Sequence, residues 1–256
     1  MRRPLHTLCA GLAALLLSVP LQASDIAAAF ELESGALWQS RNKVRLPNDA
    51  SADRFALTDI AGSGPWPALR INANWRLTGP HELRLVIAPL AYKERGSFGE
   101  DVRFDGETFA ADTRLAAEYQ FNSYRLGYRY RFEDVGGWRL WLGATAFIRD
   151  AKIELTQGST KARDDDLGFV PLLYLAGEYR FAQRWSLRFD FDGLAGGPGR
   201  ALDLGVKLGY DIDERWRVSA GYRTLEGGVD TDDVYNFAWF NTALLAIDYR
   251  LPGAGD

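Results

Sequence analysis

The sequence predicts an all-β fold, a transmembrane antiparallel up-and-down β-barrel of ten strands, on three observations. Apolar and polar residues alternate with period two between turn signals. No stretch beyond the first 24 residues is apolar for the length a spanning helix needs. Aromatic residues recur at one end of the alternating segments, on the apolar face. Eight strands is the alternative if two segments merge or stay outside the wall.

The clearest segment runs from Tyr124 to Ile148. Tyr124, Leu126, Tyr128, Tyr130 and Phe132 share one face and Arg125, Arg129 and Arg131 the other. After Glu133-Asp134-Val135-Gly136-Gly137 the alternation resumes with Trp138, Leu140, Leu142, Ala144, Ala146 and Ile148. Gly-Gly between two such runs is a hairpin signal, and arginine opposite a wholly apolar face suits lipid outside and a polar interior.

The chain begins Met1-Arg2-Arg3, followed by an apolar run from Leu8 to Leu21 and small residues at Ala23 and Ser24. This reads as a secretory signal peptide over 1–24, leaving a barrel at 25–251 and a tail at 252–256. Cys9, the single cysteine, would leave with the signal, so no disulfide holds the mature chain. Losing Arg2 and Arg3 from 30 basic residues leaves 28 against 34 acidic, a net charge of −6, which argues against a nucleic-acid partner. About 230 mature residues fit one all-β domain.

In order, the first strand is Phe30 to Ser40, with Phe30, Leu32, Ala36 and Trp38 on one face and Glu31, Glu33 and Gln39 on the other. Arg41 to Gly64 reads as a long polar loop. The second strand, about Pro67 to Leu77, turns at Thr78 to His81 into the third, Glu82 to Lys93, where Pro89 lacks a donor and predicts a bulge or loosened pairing. Glu94 to Asp112 is the second long loop. The Tyr124 hairpin supplies strands four and five, the latter reaching about Thr156. Gly158 to Gly168 is the third loop. Strands six and seven, Phe169 to Phe181 and Trp185 to Asp192, flank Ala182-Gln183-Arg184. Gly193 to Arg200 is the fourth loop. Strands eight and nine, Ala201 to Tyr210 and Trp216 to Leu225, flank Asp211 to Arg215. Gly227 to Asn236 is the fifth loop, and Phe237 to Leu251 is strand ten. Four short turns alternating with five longer loops is the pattern of a bacterial barrel with both termini in the periplasm.

Trp75, Phe132, Trp138, Phe181, Trp185, Tyr210, Trp216 and Tyr249 lie beside the short turns with outward parity. An amphipathic ring is most stable between headgroup and hydrocarbon, so these predict an interfacial girdle. A secreted lipocalin-like or sandwich protein, its aromatics in a core, is the competing reading.

On these residues the mature chain resembles small outer-membrane β-barrel proteins of the broad OmpA/OmpW-like group. Ala246 to Leu251 resembles the terminal assembly signal of that group, which implies the barrel assembly machinery as a partner, along with outer-membrane lipid and lipopolysaccharide. Pro252 to Asp256 departs from the group's aromatic ending. Gly221 to Gly228 with Val234 to Phe237 resembles a stretch of other such barrels and implies no activity.

Symmetric hairpins would set Glu178 opposite Arg188, Asp203 opposite Arg223 and Arg76 opposite Glu82, three inward pairs of opposite charge, but Arg131 opposite Arg139 with Arg129 nearby. Arg70, Arg84, Arg125, Arg149, Arg180, Arg217 and Arg250 also face in, against Asp190, Asp192 and Asp248. The lumen network so defined predicts either a charge-packed plug in a structural or surface-interaction barrel, or a narrow porin-like path biased toward anions. The second reading predicts an open path or an apolar side opening near Pro89 or Gly193 to Gly199. An outer-membrane enzyme would need a rim histidine, whereas His6 lies in the signal and His81 in a short turn at the opposite end. Asp164 to Asp166 and Asp230, Asp232 and Asp233 read as solvated loop charge, or as holders of divalent ions bridging lipopolysaccharide phosphates. No cofactor and no transition metal is expected.

Overall fold

The computed structural model describes residues 27–197 and 199–251. The signal-peptide reading of 1–24 and the tail at 252–256 lie outside the described residues. Strands alternate around one closed wall: β1 (Ala28–Arg45), β3 (Trp66–Thr78), β4 (His81–Ala88) continued by β5 (Ala91–Gly96), β8 (Leu115–Arg131), β9 (Trp138–Gln157), β10 (Thr160–Arg180), β11 (Trp185–Gly196), β12 (Gly199–Asp211), β13 (Trp216–Asp230) and β14 (Tyr235–Leu251). All pairings are antiparallel, and β14 closes on β1 from Ala28↔Leu251 to Arg45↔Tyr235. Counting β4 with β5, which Pro89-Leu90 interrupts, the wall has ten strands. The interruption expected at Pro89 is present. Phe121 N–H donates to the Leu90 carbonyl, and the Asn122 side chain accepts from Leu90 N–H, so the break leaves that backbone served.

Period two holds around the wall. On β12, Leu204, Val206 and Leu208 are exposed while Asp203, Gly205 and Lys207 are buried inside. The girdle aromatics lie outside: Trp185 packs on Tyr210 at 4.9 Å, Trp216 on Tyr249 at 4.6 Å and Trp138 on Tyr179 at 5.2 Å, and Phe30 meets Trp75 edge-on. Phe132 and Phe181 are exposed at the same end. An exterior of this composition is stable against hydrocarbon and costly against water.

The loop boundaries differ from expectation. Asp164, Asp165 and Asp166 stand within β10, paired across to Ile153, Lys152 and Ala151 of β9, and the β9–β10 turn shrinks to Gly158-Ser159. Strands β13 and β14 likewise take up most of Gly227 to Asn236, and β1 runs on to Arg45 through a bulge between Gln39 and Arg41. The bulge reverses parity, so Gln39 and then Asn42 and Val44 all face in.

The two longest connections are not merely polar loops. Between β1 and β3 they form β2 (Phe55–Ala56) and α1 (Leu57–Ala61), and between β5 and β8 the hairpin β6 (Val102–Phe104) and β7 (Glu107–Phe109). Phe55, Leu57, Ile60, Phe98, Val102, Phe104 and Phe109 are buried against inward residues of the wall such as Leu37, Tyr119, Leu155 and Phe240. Phe55 meets Phe98 and Phe104 edge-on at 5.2 and 5.6 Å. These apolar residues carry no period, so the burial that makes them a core cap is a property of the closed barrel.

Candidate functional site

The waist of the barrel is crossed by one connected lattice of ions. Arg70 (β3) pairs with Asp203 (β12) at 3.1 Å, and Arg125 (β8) bridges Asp203 and Asp192 at 2.7 and 2.9 Å. Arg84 (β4) binds Asp192 at 2.8 Å and lies 3.9 Å from Asp190. Arg223 (β13) joins Asp190, Asp203 and Glu33 at 3.0, 2.7 and 3.0 Å. Lys207 ties Glu33 to Glu31 at 2.6 Å each, and Arg188 ties Glu31 to Asp248. Thr145 Oγ1 donates to Asp192 at 2.7 Å.

The lattice balances: Arg70, Arg84, Arg125, Arg188, Lys207 and Arg223 meet Glu31, Glu33, Asp190, Asp192, Asp203 and Asp248. Six cations face six anions, and most contacts cross the lumen rather than follow one strand. A guanidinium fork can serve several carboxylates at once, which is why arginine rather than lysine dominates. Burying one such ion alone costs several kcal/mol, so the arrangement holds only as a set.

Toward the short turns, a cavity of about 830 Å³ is lined by arginines on several strands, among them Arg76, Arg129, Arg131, Arg139, Arg180, Arg215 and Arg250. Glu82 holds Arg129 at 2.7 Å and accepts from Trp141 Nε1 at 3.1 Å, and Arg129 also donates to the Tyr174 hydroxyl. Arg217 forks onto Glu178 and Asp211, and Asp211 also meets Arg180 and Arg250. The positive excess expected of the whole lumen is therefore confined to this vestibule.

Toward the other end, Trp66 stacks on Tyr92 at 4.1 Å, Tyr92 on Tyr119 at 5.4 Å, and Tyr119 packs against Phe240 at 5.6 Å, an aromatic row across the bore. Tyr92 donates its hydroxyl to Gln39 Oε1 at 2.8 Å. Above, the cap segments are tied by Arg103, whose amide and guanidinium donate to Asp53 at 2.9 and 2.8 Å. The side-chain bond from Arg103 pulls the Asp53 carboxyl down to about 2. Beside the row lies a second cavity of about 430 Å³, walled by Phe121, Phe147, Leu172, Leu202, Leu225 and Ala238 and floored by Arg125, Asp192 and Asp203.

Two expected registers are corrected. Arg131 lies opposite Trp141, not Arg139, because Gly136 and Gly137, at φ 57° and 82°, make a tight turn closed by Val135↔Trp138 and shift the partners by two. Arg139 instead faces Glu178 and bonds Asp134. Asp203 lies opposite Leu225, because β12 runs one residue further to Asp211↔Arg217 and Asp213 caps the turn through the amides of Arg215 and Trp216. Arg223 still reaches Asp203 diagonally. Glu178↔Arg188 and Arg76↔Glu82 stand opposite as expected.

Lys207, Glu31 and Glu33 belong to the lattice although the strand pairs did not single them out. The parity Lys207 shares with Asp203, and the alternation of Glu31 and Glu33 against the outward Phe30 and Leu32, was the available signal. His81 opens β4 beside the β3–β4 turn, 2.6 Å from the Tyr128 hydroxyl and edge-on to Tyr130, among girdle aromatics. Asp165 pairs with Arg163 and Asp166 with Arg149. Among the described residues no group of three or more His, Cys, Asp and Glu is placed to hold a metal ion.

No family model and no curated protein sequence matches the chain. The outer membrane protease OmpT from Escherichia coli is similar in structure at 13% identity and a TM-score of 0.54, covering 92% of this chain and 99% of that one. The β domain of the Bordetella autotransporter BrkA is similar at 15% identity, covering 89% and 99%, with a TM-score of 0.45. Neisserial surface protein A reaches 12% identity, 87% and 99% coverage and a TM-score of 0.34. The last two scores are too low to add weight. At 13% identity the first speaks for the fold alone: a closed ten-strand antiparallel barrel of the kind found in small outer-membrane proteins.

Proposed function

We propose that the protein is a bacterial outer-membrane β-barrel with a structural or surface-interaction role and a lumen that passes no solute. The waist lattice carries this reading. Six cations and six anions span the bore and pair with one another, so a hydrated ion crossing there must break several buried pairs at once. The aromatic row and apolar cap beyond it add a second obstruction. The exposed apolar belt and girdle support placement in a bilayer, with the short turns and both termini in the periplasm and the cap outward. Surrounding lipid, lipopolysaccharide and the barrel assembly machinery are the partners this placement implies. The chain's only histidine past residue 6 sits at the short-turn end, which speaks against rim acid–base catalysis.

The arginine-lined vestibule favours a second reading, a narrow conduit biased toward anions. One experiment separates them. In planar bilayers the purified barrel is expected to give no stable channel. A steady anion-selective conductance would replace the first reading with the second, and a cation-selective one would remove both.

A further inference from the structure

A transmembrane strand needs about 9–11 residues to cross the hydrocarbon. The seam between β10 and β11 has eight paired residues, Leu173↔Gly193 to Arg180↔Ser186. Above Leu173, β10 continues to Thr160 paired only with β9, and β11 continues to Gly196 paired only with β12. Counted from the girdle residues Phe181 and Trp185, each strand rises nine residues before the wall parts, which is up to two residues short of the far edge of the membrane, at most about 7 Å at strand rise. Pro171 stands at the parting and has no amide hydrogen to offer any partner.

The seam between β3 and β4 is also short, with seven paired residues, but it is filled. Trp66 stacks on Tyr92 and donates to Glu94 at 2.8 Å, and the space left there is about 60 Å³. The β10–β11 parting instead opens onto the 430 Å³ cavity, whose apolar wall at Leu172 and Leu202 is continuous with the exposed belt at Phe169, Leu173 and Leu194. Its volume falls in the range of about 300–1,000 Å³ usual for small-ligand sites.

We infer that this parting is a lateral entrance through which one acyl chain of a surrounding lipid seats inside the barrel wall. The inference rests on the membrane placement proposed above. The chemistry follows from what meets the opening. Its flanks are apolar, its occupant comes from the belt, and a chain filling it restores the dispersion contacts that an empty apolar space forfeits. The free strand edges at Val170 to Leu172 and Leu194 to Gly196 present backbone polar groups that hydrocarbon cannot serve. The ester region of a lipid supplies acceptors there. The floor of Arg125, Asp192 and Asp203 is already paired within the lattice, so the chain stops above it.

The test places a bimane fluorophore on single cysteines of the full barrel, with Cys9 replaced, in phosphatidylcholine vesicles with or without bromine on the acyl chains. The positions are Leu172→Cys and Val170→Cys inside the parting, Leu204→Cys on the belt, and Ala246→Cys on the inner face of a closed seam. Heat-modifiable gel mobility verifies folding, and the two parting positions guard against one failing to fold. The expected result is a loss of emission at Leu172 and Val170 comparable to that at Leu204, with none at Ala246. Quenching at Leu204 without quenching at Leu172 or Val170 overturns the acyl-chain seat and leaves the membrane placement standing. Absence of quenching at Leu204 overturns the placement, and the seat with it.

Discussion

Replacing Asp203 with asparagine keeps the shape of the side chain and removes one charge from the centre of the lattice. Asp203 is 3% exposed and meets Arg70, Arg125 and Arg223. The variant leaves six cations facing five anions in a closed bore, and the asparagine amide points a donor at guanidinium groups that are themselves donors. Removing one partner from a buried ion set costs about 3–5 kcal/mol, so the unfolding free energy of the barrel in phospholipid vesicles, from urea titration followed by tryptophan fluorescence, should fall by that amount, seen as a lower midpoint at unchanged slope. Adding Arg70→Gln restores electrical balance and should recover part of the loss, a coupling of about 0.5–3 kcal/mol in a double-mutant cycle. Asp165→Asn, which breaks an exposed pair with Arg163, should leave the midpoint in place. A loss below about 1 kcal/mol for Asp203→Asn would mean the waist is hydrated and screened, and the sealing argument would fail.

Further expectations concern the cap and the inner hydrogen bonds. Phe104 is wholly buried, and Phe104→Ala should cost about 3–5 kcal/mol of cap stability, seen as faster proteolysis within 97–114 while the barrel keeps its folded mobility; equal cleavage rates would deny the cap its core. The Asp53 carboxyl titrates at about 2, below the usual 3.8, because Arg103 bonds its ionised form. A depressed carboxylate contributes its stability above 3.8 and loses it as pH falls through about 2, so a carboxyl NMR titration should place the midpoint there; a midpoint near 3.8 would show the tie between loops does not form. Thr145→Val removes one donor to the buried Asp192 and should cost about 1.5–3 kcal/mol in the same urea assay, with no change counting against the lattice geometry.

Most of the wall was legible because each strand has one face against hydrocarbon, and that constraint imprints parity residue by residue. Leu204, Val206 and Leu208 against Asp203 and Lys207 is such an imprint. Register was legible only where the turn was short enough to be symmetric. Ala182-Gln183-Arg184 leaves Glu178 opposite Arg188, whereas Gly136-Gly137 and the Asp213 cap each move the partners by two. The cap was illegible for a different reason. Phe55, Phe98, Phe104 and Phe109 lie in short segments with no apolar period, and only the closed bore beneath them turns them into a core. The β10–β11 parting was foreshadowed by the glycines from Gly193 onward, but its depth depends on comparing two strand lengths, which sequence parity does not report.

The division of side chains into a lipid-facing exterior and an ion-filled interior is tested most directly by arginine placed along the outer face of β12. In vesicles, Val206→Arg, near the middle of the belt, should destabilise by about 2–4 kcal/mol, and a position nearer the girdle such as Tyr210→Arg by about 0–1. A flat profile, with Val206→Arg costing no more than Tyr210→Arg, would contradict the membrane-spanning account.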